Sequence, residues 1–215
     1  MQRLRVRFGR GDEVKYISHL DLMRLWERAI RRSGLSLAYT EGFNPHPRIS
    51  LAAPLSVGVT SEAELMDVFL KRWDSPNMFI NRITKQLPDG IMLFGVMPVG
   101  LNMPSLQSQV RFAEYTVKVK NEGEDAVPDV DRAIGSLLEA KELPWHHYRD
   151  TGARHYDLRA LIDDIWTVSS TGTAYTLGMR LRCDSGGTGR PEQVVKALGF
   201  TGYPESIHRT GLLLG

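Results

Sequence analysis

Cysteine is almost absent, with Cys183 standing alone in 215 residues. A disulfide framework within the chain is thereby excluded, which fits a reducing compartment, and the lone thiol reads as a small buried apolar residue before a reactive one. Long apolar runs are missing too, since none approaches the length of a membrane-spanning helix. The opening residues MQRLRVRFGRGDEVK are too charged for the apolar centre of a signal peptide. The expected location is the cytoplasm, with no membrane partner. Nucleophile and nucleotide motifs are also lacking: there is no G-x-S-x-G, no P-loop and no G-x-G-x-x-G. No catalytic residue is assigned, no cofactor is expected, and a binding role is favoured over an enzymatic one.

What is present begins with an uneven charge. The chain carries a net +2, yet residues 1–50 hold ten Lys/Arg against five Asp/Glu, and the remaining 165 hold 17 against 20. A local basic field beside a near-neutral remainder suits an anionic partner, RNA before membrane, because no basic helix here has a wide exposed apolar face.

Hydrophobic periodicity points to an α+β chain of two tandem ferredoxin-like units, βαββαβ each, the second irregular. Leu4, Val6 and Phe8 alternate with Arg3, Arg5 and Arg7, the mark of a half-buried strand with three arginines on one face. Ser18 and Asp21 form a short capping box before a helix with Leu22, Met23, Trp26, Ala29 and Ile30 on one stripe, ending at Gly34. Strands are expected over 36–40, 49–55, 64–70 and 91–96, with a helix opened by Ser75-Pro76. The first domain is read as 1–100, a linker as 101–110 and the second domain as 111–215. In the second, strand 112–120, a turn over 121–129, a helix through Leu138, strand 145–149, an irregular stretch from 156, a hairpin about Thr171-Gly172, a helix from Pro191 and a last strand 207–214 are expected.

Candidate site residues gather in the first half. Arg24, Arg28 and Arg31, with Arg32, make a basic ridge on the helix face opposite the apolar stripe. The loop G-F-N-P-H-P displays Asn44 and His46 between prolines, and Arg48 follows. A displayed imidazole suits a phosphate or base contact or acid–base work, while the plainer role is a hydrogen bond within its own loop. Tyr16 and Tyr39, with Phe8, Phe43 and the arginines, make a mixed aromatic and basic set of the kind that stacks bases and contacts phosphates. His19 joins the candidates at the helix start, where a solvated residue is the plainer reading. Gly187, Gly189 and Arg190 form a candidate anion loop ahead of the last helix, where a surface turn is the plainer reading. His146, His147 and His155 lack metal-ligand spacing, so no metal site is expected.

The run YISHLDLMRLWERAIRRSGLSLAYTEGFNPHPRISLAAPLSVGVTSEAELMDV, Tyr16 to Val68, resembles the radical SAM-linked family of unknown function, as do HYDLRALI and GRPEQVVKALG further on. Members of that family occur as a C-terminal extension of, or separate partner beside, radical SAM proteins that often carry a cobalamin-binding domain. The resemblance implies a radical SAM protein as partner and, through neighbouring genes for a G/E-type ribonuclease and ribosomal proteins, an RNA or ribosome setting. With one cysteine this chain lacks the three-cysteine cluster of a radical SAM enzyme. The expected function is an accessory protein that binds RNA or the enzyme. Two alternatives stand beside it. One is a metal-independent ribonuclease with the double ferredoxin-like fold of CRISPR endonucleases, using His46 or His19 with Tyr16 or Tyr39. The other is an adaptor that binds protein only.

Overall fold

The computed structural model describes residues 1–121, 127, 129–149 and 152–215. Among them the chain is α+β and divides into two compact units, Met1–Val110 and Arg111–Gly215. The turn expected over 121–129 lies mostly outside the described residues.

The first unit contains β1 (Gln2–Arg10), α1 (His19–Arg32), β2 (Ile49–Leu51), β3 (Thr60–Leu70), α2 (Pro76–Ile83), β4 (Ile91–Val99) and the short α3 (Leu106–Gln109). Its strands run in the order β4-β1-β3-β2, each neighbouring pair antiparallel. Leu4, Val6 and Phe8 of β1 and Met66, Val68 and Leu70 of β3 are fully buried on one face. Against that face α1 packs Leu22, Trp26, Ala29 and Ile30, with Phe79 and Ile83 of α2 in the same core. Phe8 and Trp26 meet edge to face at 5.0 Å between ring centres. Each of these large side chains contributes about 1.5–3 kcal/mol by leaving water. Helix α1 starts where Ser18 accepts from the Asp21 amide (3.1 Å), the N-cap half of a capping box, and donates its hydroxyl to the Asp21 carboxylate (2.7 Å). Arg10 is 1% exposed. It donates to the carbonyls of Val14 (3.1 Å), Lys15 (2.8 Å) and Ile17 (2.5 Å), which pins the turn that carries Tyr16 into α1.

Two expected strands are shorter than their apolar runs. Residues 36–40 make only the bridges Leu37–Leu70 and Tyr39–Pro47. The 49–55 strand stops at Leu51, and Ala52 and Ala53 are buried in a bend. Pairing with a packed neighbour, rather than hydrophobicity, sets where a ladder ends. The stretch read as a linker belongs to the first unit, with Leu106 and Val110 each 1% exposed.

The second unit contains β5 (Val110–Lys120), α4 (Val130–Glu139), β6 (Pro144–Arg149), β7 (Gly152–Asp157), β8 (Ile162–Thr171), β9 (Ala174–Asp184), β10 (Gly187–Thr188), α5 (Pro191–Ala197) and β11 (Ser206–Leu214). Strand β9 pairs with β5 on one side and with β8 and β10 on the other, and β11 lies beyond β5. The stretch expected to be irregular from residue 156 forms a 3-10 turn from Arg159 and the start of β8. Its first two residues end β7, which pairs with the expected strand β6 in a two-stranded hairpin between α4 and β8. The hairpin strands pair with each other rather than with the main sheet. Gly178 on β9 sits opposite Trp166 on β8, and a Cβ there would come within 2.1 Å of the indole. Glycine at 178 is thus a packing requirement of Trp166.

Candidate functional site

The three arginines of β1 share a strand face, but they do not form an open basic surface. Arg5 stands opposite Asp67 on β3, and Asp67 is 1% exposed. Arg3 donates to it through Nε (2.9 Å) and Nη2 (2.6 Å), and Arg5 through Nε (2.9 Å) and Nη2 (3.2 Å). The remaining donors of Arg3 reach the carbonyls of Met103 (2.7 Å) and Pro104 (2.8 Å). Gln107 bonds Ser50 at 2.6 Å from the same segment. Residues 103–109 therefore close this face of the first sheet. Arg48 belongs here as well: its guanidinium lies 4.2 Å from the centre of the Phe69 ring, with Arg3 also over that ring at 5.5 Å. Arg7 alone of the β1 arginines is exposed, lying over Phe94 at 5.7 Å.

The ridge on α1 divides into two flanks. Arg24 is paired with Asp21 at 3.3 Å, and the Ser18 hydroxyl, helped by Arg24, holds the Asp21 carboxyl below its ordinary range. Glu27 accepts from the Tyr39 hydroxyl at 3.1 Å. Burial raises the Tyr39 phenol above its usual pKa, Glu27 adds to the rise, and nearby Arg31 opposes it. Arg31 thus accompanies the Tyr39 stem. Arg28 and Arg32 face the other way, into a groove of about 500 Å³ whose opposite wall is the 3-10 turn Thr84–Gln86 and the residues after it. Leu25, Ala29, Leu87 and Pro88 give that groove an apolar lining, and Lys85 adds a third cation. Among the described residues, none of Arg28, Arg32 and Lys85 has an ion pair or side-chain hydrogen bond.

The G-F-N-P-H-P segment is the tip of a small hairpin stem. Tyr39 bridges Pro47, the Thr40 amide donates to the His46 carbonyl (2.8 Å), and the His46 amide donates to Thr40 Oγ1 (2.9 Å). Asn44 and His46 are exposed at this tip, and Phe43 projects fully into solvent. Tyr39 ties the stem to α1, while Arg48 lies on the far side of the sheet over Phe69. Tyr16 is exposed beneath Lys15, whose Nζ is 5.3 Å from its ring centre, and His19 is the first residue of α1. Tyr16 lies against Lys15 and near Gly58.

In the second unit the glycine-rich segment has its amides occupied. Gly186 donates to the Asp184 carboxylate (2.7 Å) and Gly189 to the Arg182 carbonyl (2.8 Å). Burial pushes the Asp184 carboxyl up, but Arg182 and the Gly186 and Gly187 amides outweigh that and leave it below its ordinary range. A Cβ on Gly189 would lie 2.8 Å from the Leu161 carbonyl oxygen, and one on Gly187 would lie 2.5 Å from the Leu161 side chain. Close packing on Leu161 explains these glycines, and Arg190 lies 4.0 Å from Glu192. His146 and His155, separated in sequence, are cross-strand partners in the β6-β7 hairpin with ring centres 4.4 Å apart. The side chain of His147 lies outside the described residues. Among the described residues no group of three His, Cys, Asp or Glu is placed to hold a metal, and no helix is long and apolar enough to cross a membrane.

Comparison of the sequence with protein families matches residues 3–191 to DUF2344, described as an uncharacterized protein conserved in bacteria. The chain belongs to this family. No match is found among curated proteins. Among solved structures, this DUF2344 member is similar to a chain in the crystal structure of a Cbf5-Nop10-Gar1 complex, with a TM-score of 0.51 at 11% identity. The likeness covers 97% of this chain and 48% of that one, so the chain spans about half the length of its structural neighbour. At that identity the likeness concerns the fold alone.

Sequence reading of this family member missed Lys85. A lone lysine after α2 carries no signal by itself. The available clue was its place one helical turn ahead of Pro88-Asp89-Gly90, where the chain must turn back toward the sheet.

Proposed function

We propose that this protein is an accessory RNA-binding module, with Arg28, Arg32 and Lys85 as its principal anion contacts and Arg24 and Arg31 as flanking charge. The observation that carries the reading is the groove beside α1, where three cations have no counterion among the described residues. Exposed cations with no intramolecular partner keep their full charge for a phosphate, and their side chains have no bond to break on binding. Tyr39, Asn44, His46 and exposed Phe43 supply a second, aromatic and polar element, joined to α1 through Tyr39 and Glu27. Binding is favoured over cleavage, because the Tyr39 hydroxyl is already held by Glu27 and neither His46 nor His19 has a side-chain hydrogen-bond partner among the described residues.

The fold proposed is a tandem ferredoxin-like one. The order β4-β1-β3-β2 in the first unit supports it, as does the same pattern, β11-β5-β9-β8, in the second once the β6-β7 hairpin is set aside. The likeness to one chain of a three-component complex is a precedent for this fold in an assembly. The resemblance of Tyr16–Val68 to radical SAM-linked proteins supplies a protein partner for the same module. The test is binding to transfer or ribosomal RNA at rising salt. The expected result is affinity that falls steeply with salt and drops about tenfold or more in the Arg28→Ala/Arg32→Ala variant. No binding at low salt, with the radical SAM protein still copurifying from nuclease-treated lysate, would replace RNA by protein as the partner.

A further inference from the structure

The cations of α1 do not form a track. Arg24 is paired with Asp21 and Arg31 lies beside Tyr39, so the cations that line the groove are Arg28, Arg32 and Lys85. A surface that follows a polynucleotide spreads its cations along the strand, to meet one charge per diester. Here Arg28 and Arg32 stand one turn apart on α1, about 5–6 Å between Cβ atoms, and Lys85 faces them across the groove. Three cations around one short groove match a group with more than one negative charge. A phosphomonoester carries about −1.5 to −2 near neutral pH, against −1 for a diester.

The rest of the lining adds a second requirement. Leu25, Leu87 and Pro88 give the groove an apolar wall, which a bare phosphate would not use and a flat base would. Its volume of about 500 Å³ falls within the span of small-molecule sites, about 300–1,000 Å³. We propose that the groove between α1 and the Thr84–Gln86 turn is a nucleotide phosphomonoester site, with the phosphate held by Arg28, Arg32 and Lys85 and the base against Leu87 and Pro88. The ligand is a free nucleoside monophosphate or the 5′-phosphorylated end of an RNA. This deepens the RNA-binding reading and rests on it for the second source.

The test compares one ten-nucleotide RNA with a 5′-phosphate and with a 5′-hydroxyl, and uses adenosine monophosphate as competitor, on the intact chain. The 5′-phosphorylated RNA is expected to bind about tenfold tighter, to be displaced by adenosine monophosphate, and to lose its advantage in Lys85→Ala and in Arg28→Ala, both exposed substitutions. Lys85→Arg, which retains the charge, is expected to keep most of the preference. Equal binding of both RNAs overturns the terminal-phosphate site and leaves general RNA binding standing. Binding of adenosine monophosphate with neither RNA bound supports the site and overturns the RNA reading. No binding of any of the three overturns both.

Discussion

Arg3 and Arg5 on β1 and Arg28 and Arg32 on α1 belong to the same basic N-terminal field in the sequence, yet the fold gives them opposite roles. The strand pair converges on Asp67 and on loop carbonyls, with Arg3 only 4% exposed. The helix pair faces solvent across a groove, with no counterion among the described residues. A residue count treats all four as available charge. What separates them is a carboxylate: Asp67 lies directly across the ladder from Arg5, whereas among the described residues that line the groove with Arg28 and Arg32 none is acidic. Charge is available for a partner only where the fold has not already supplied one.

The comparison is broken most severely by Asp67→Ala. Two buried or half-buried guanidiniums would lose their shared carboxylate, and stability should fall by about 3–5 kcal/mol, read from urea unfolding, with RNA affinity changed only as far as the fraction folded changes. Next in size, Arg28→Ala/Arg32→Ala/Lys85→Ala should leave the unfolding midpoint within about 0.5 kcal/mol. The same triple variant should weaken RNA binding about ten- to a hundredfold, by filter binding or anisotropy. A smaller effect of a different origin is expected for Gly178→Ala, where the new methyl meets Trp166: a loss of about 1–3 kcal/mol, with Trp166 fluorescence altered and RNA binding intact.

The smallest expected effect is a pH dependence. Asp184 has its folded carboxyl below the ordinary range, so its stabilising contribution is present above the unfolded value of about 3.9 and is lost as pH falls through the lowered folded value. Asp184→Asn should therefore lower stability modestly near neutrality and flatten the acid edge of the profile below about pH 4.

Much of the first unit was legible in the sequence. The alternation of β1, the Ser18–Asp21 box and the stripe from Leu22 to Ile30 are local patterns, and local patterns report local structure. The cap geometry and the burial of Trp26 follow from them directly. Illegible were the pairings between distant residues. Nothing near Arg3 in the chain announces Asp67 or the carbonyls of Met103 and Pro104. Strand β7 was missed because it is short and polar, which left the expected strand at 145–149 without its partner. The glycines at 187 and 189 invited an anion-loop reading because their reason, Leu161, lies far back along the chain. Of the site, the arginines of α1 were visible and their division into two flanks was not. That division depends on Tyr39 and Lys85, which reach α1 from other elements.

The most direct test of the account is the slope of RNA affinity against salt, measured for the native chain and for Arg28→Ala/Arg32→Ala/Lys85→Ala. Each phosphate contact removed should lower the slope of log affinity against log salt by about one. A slope shallower by about one to two for a 5′-phosphorylated RNA in the triple variant, with unfolding unchanged, is the predicted result. Equal slopes for the two proteins would contradict it and place the anion contacts elsewhere on the molecule.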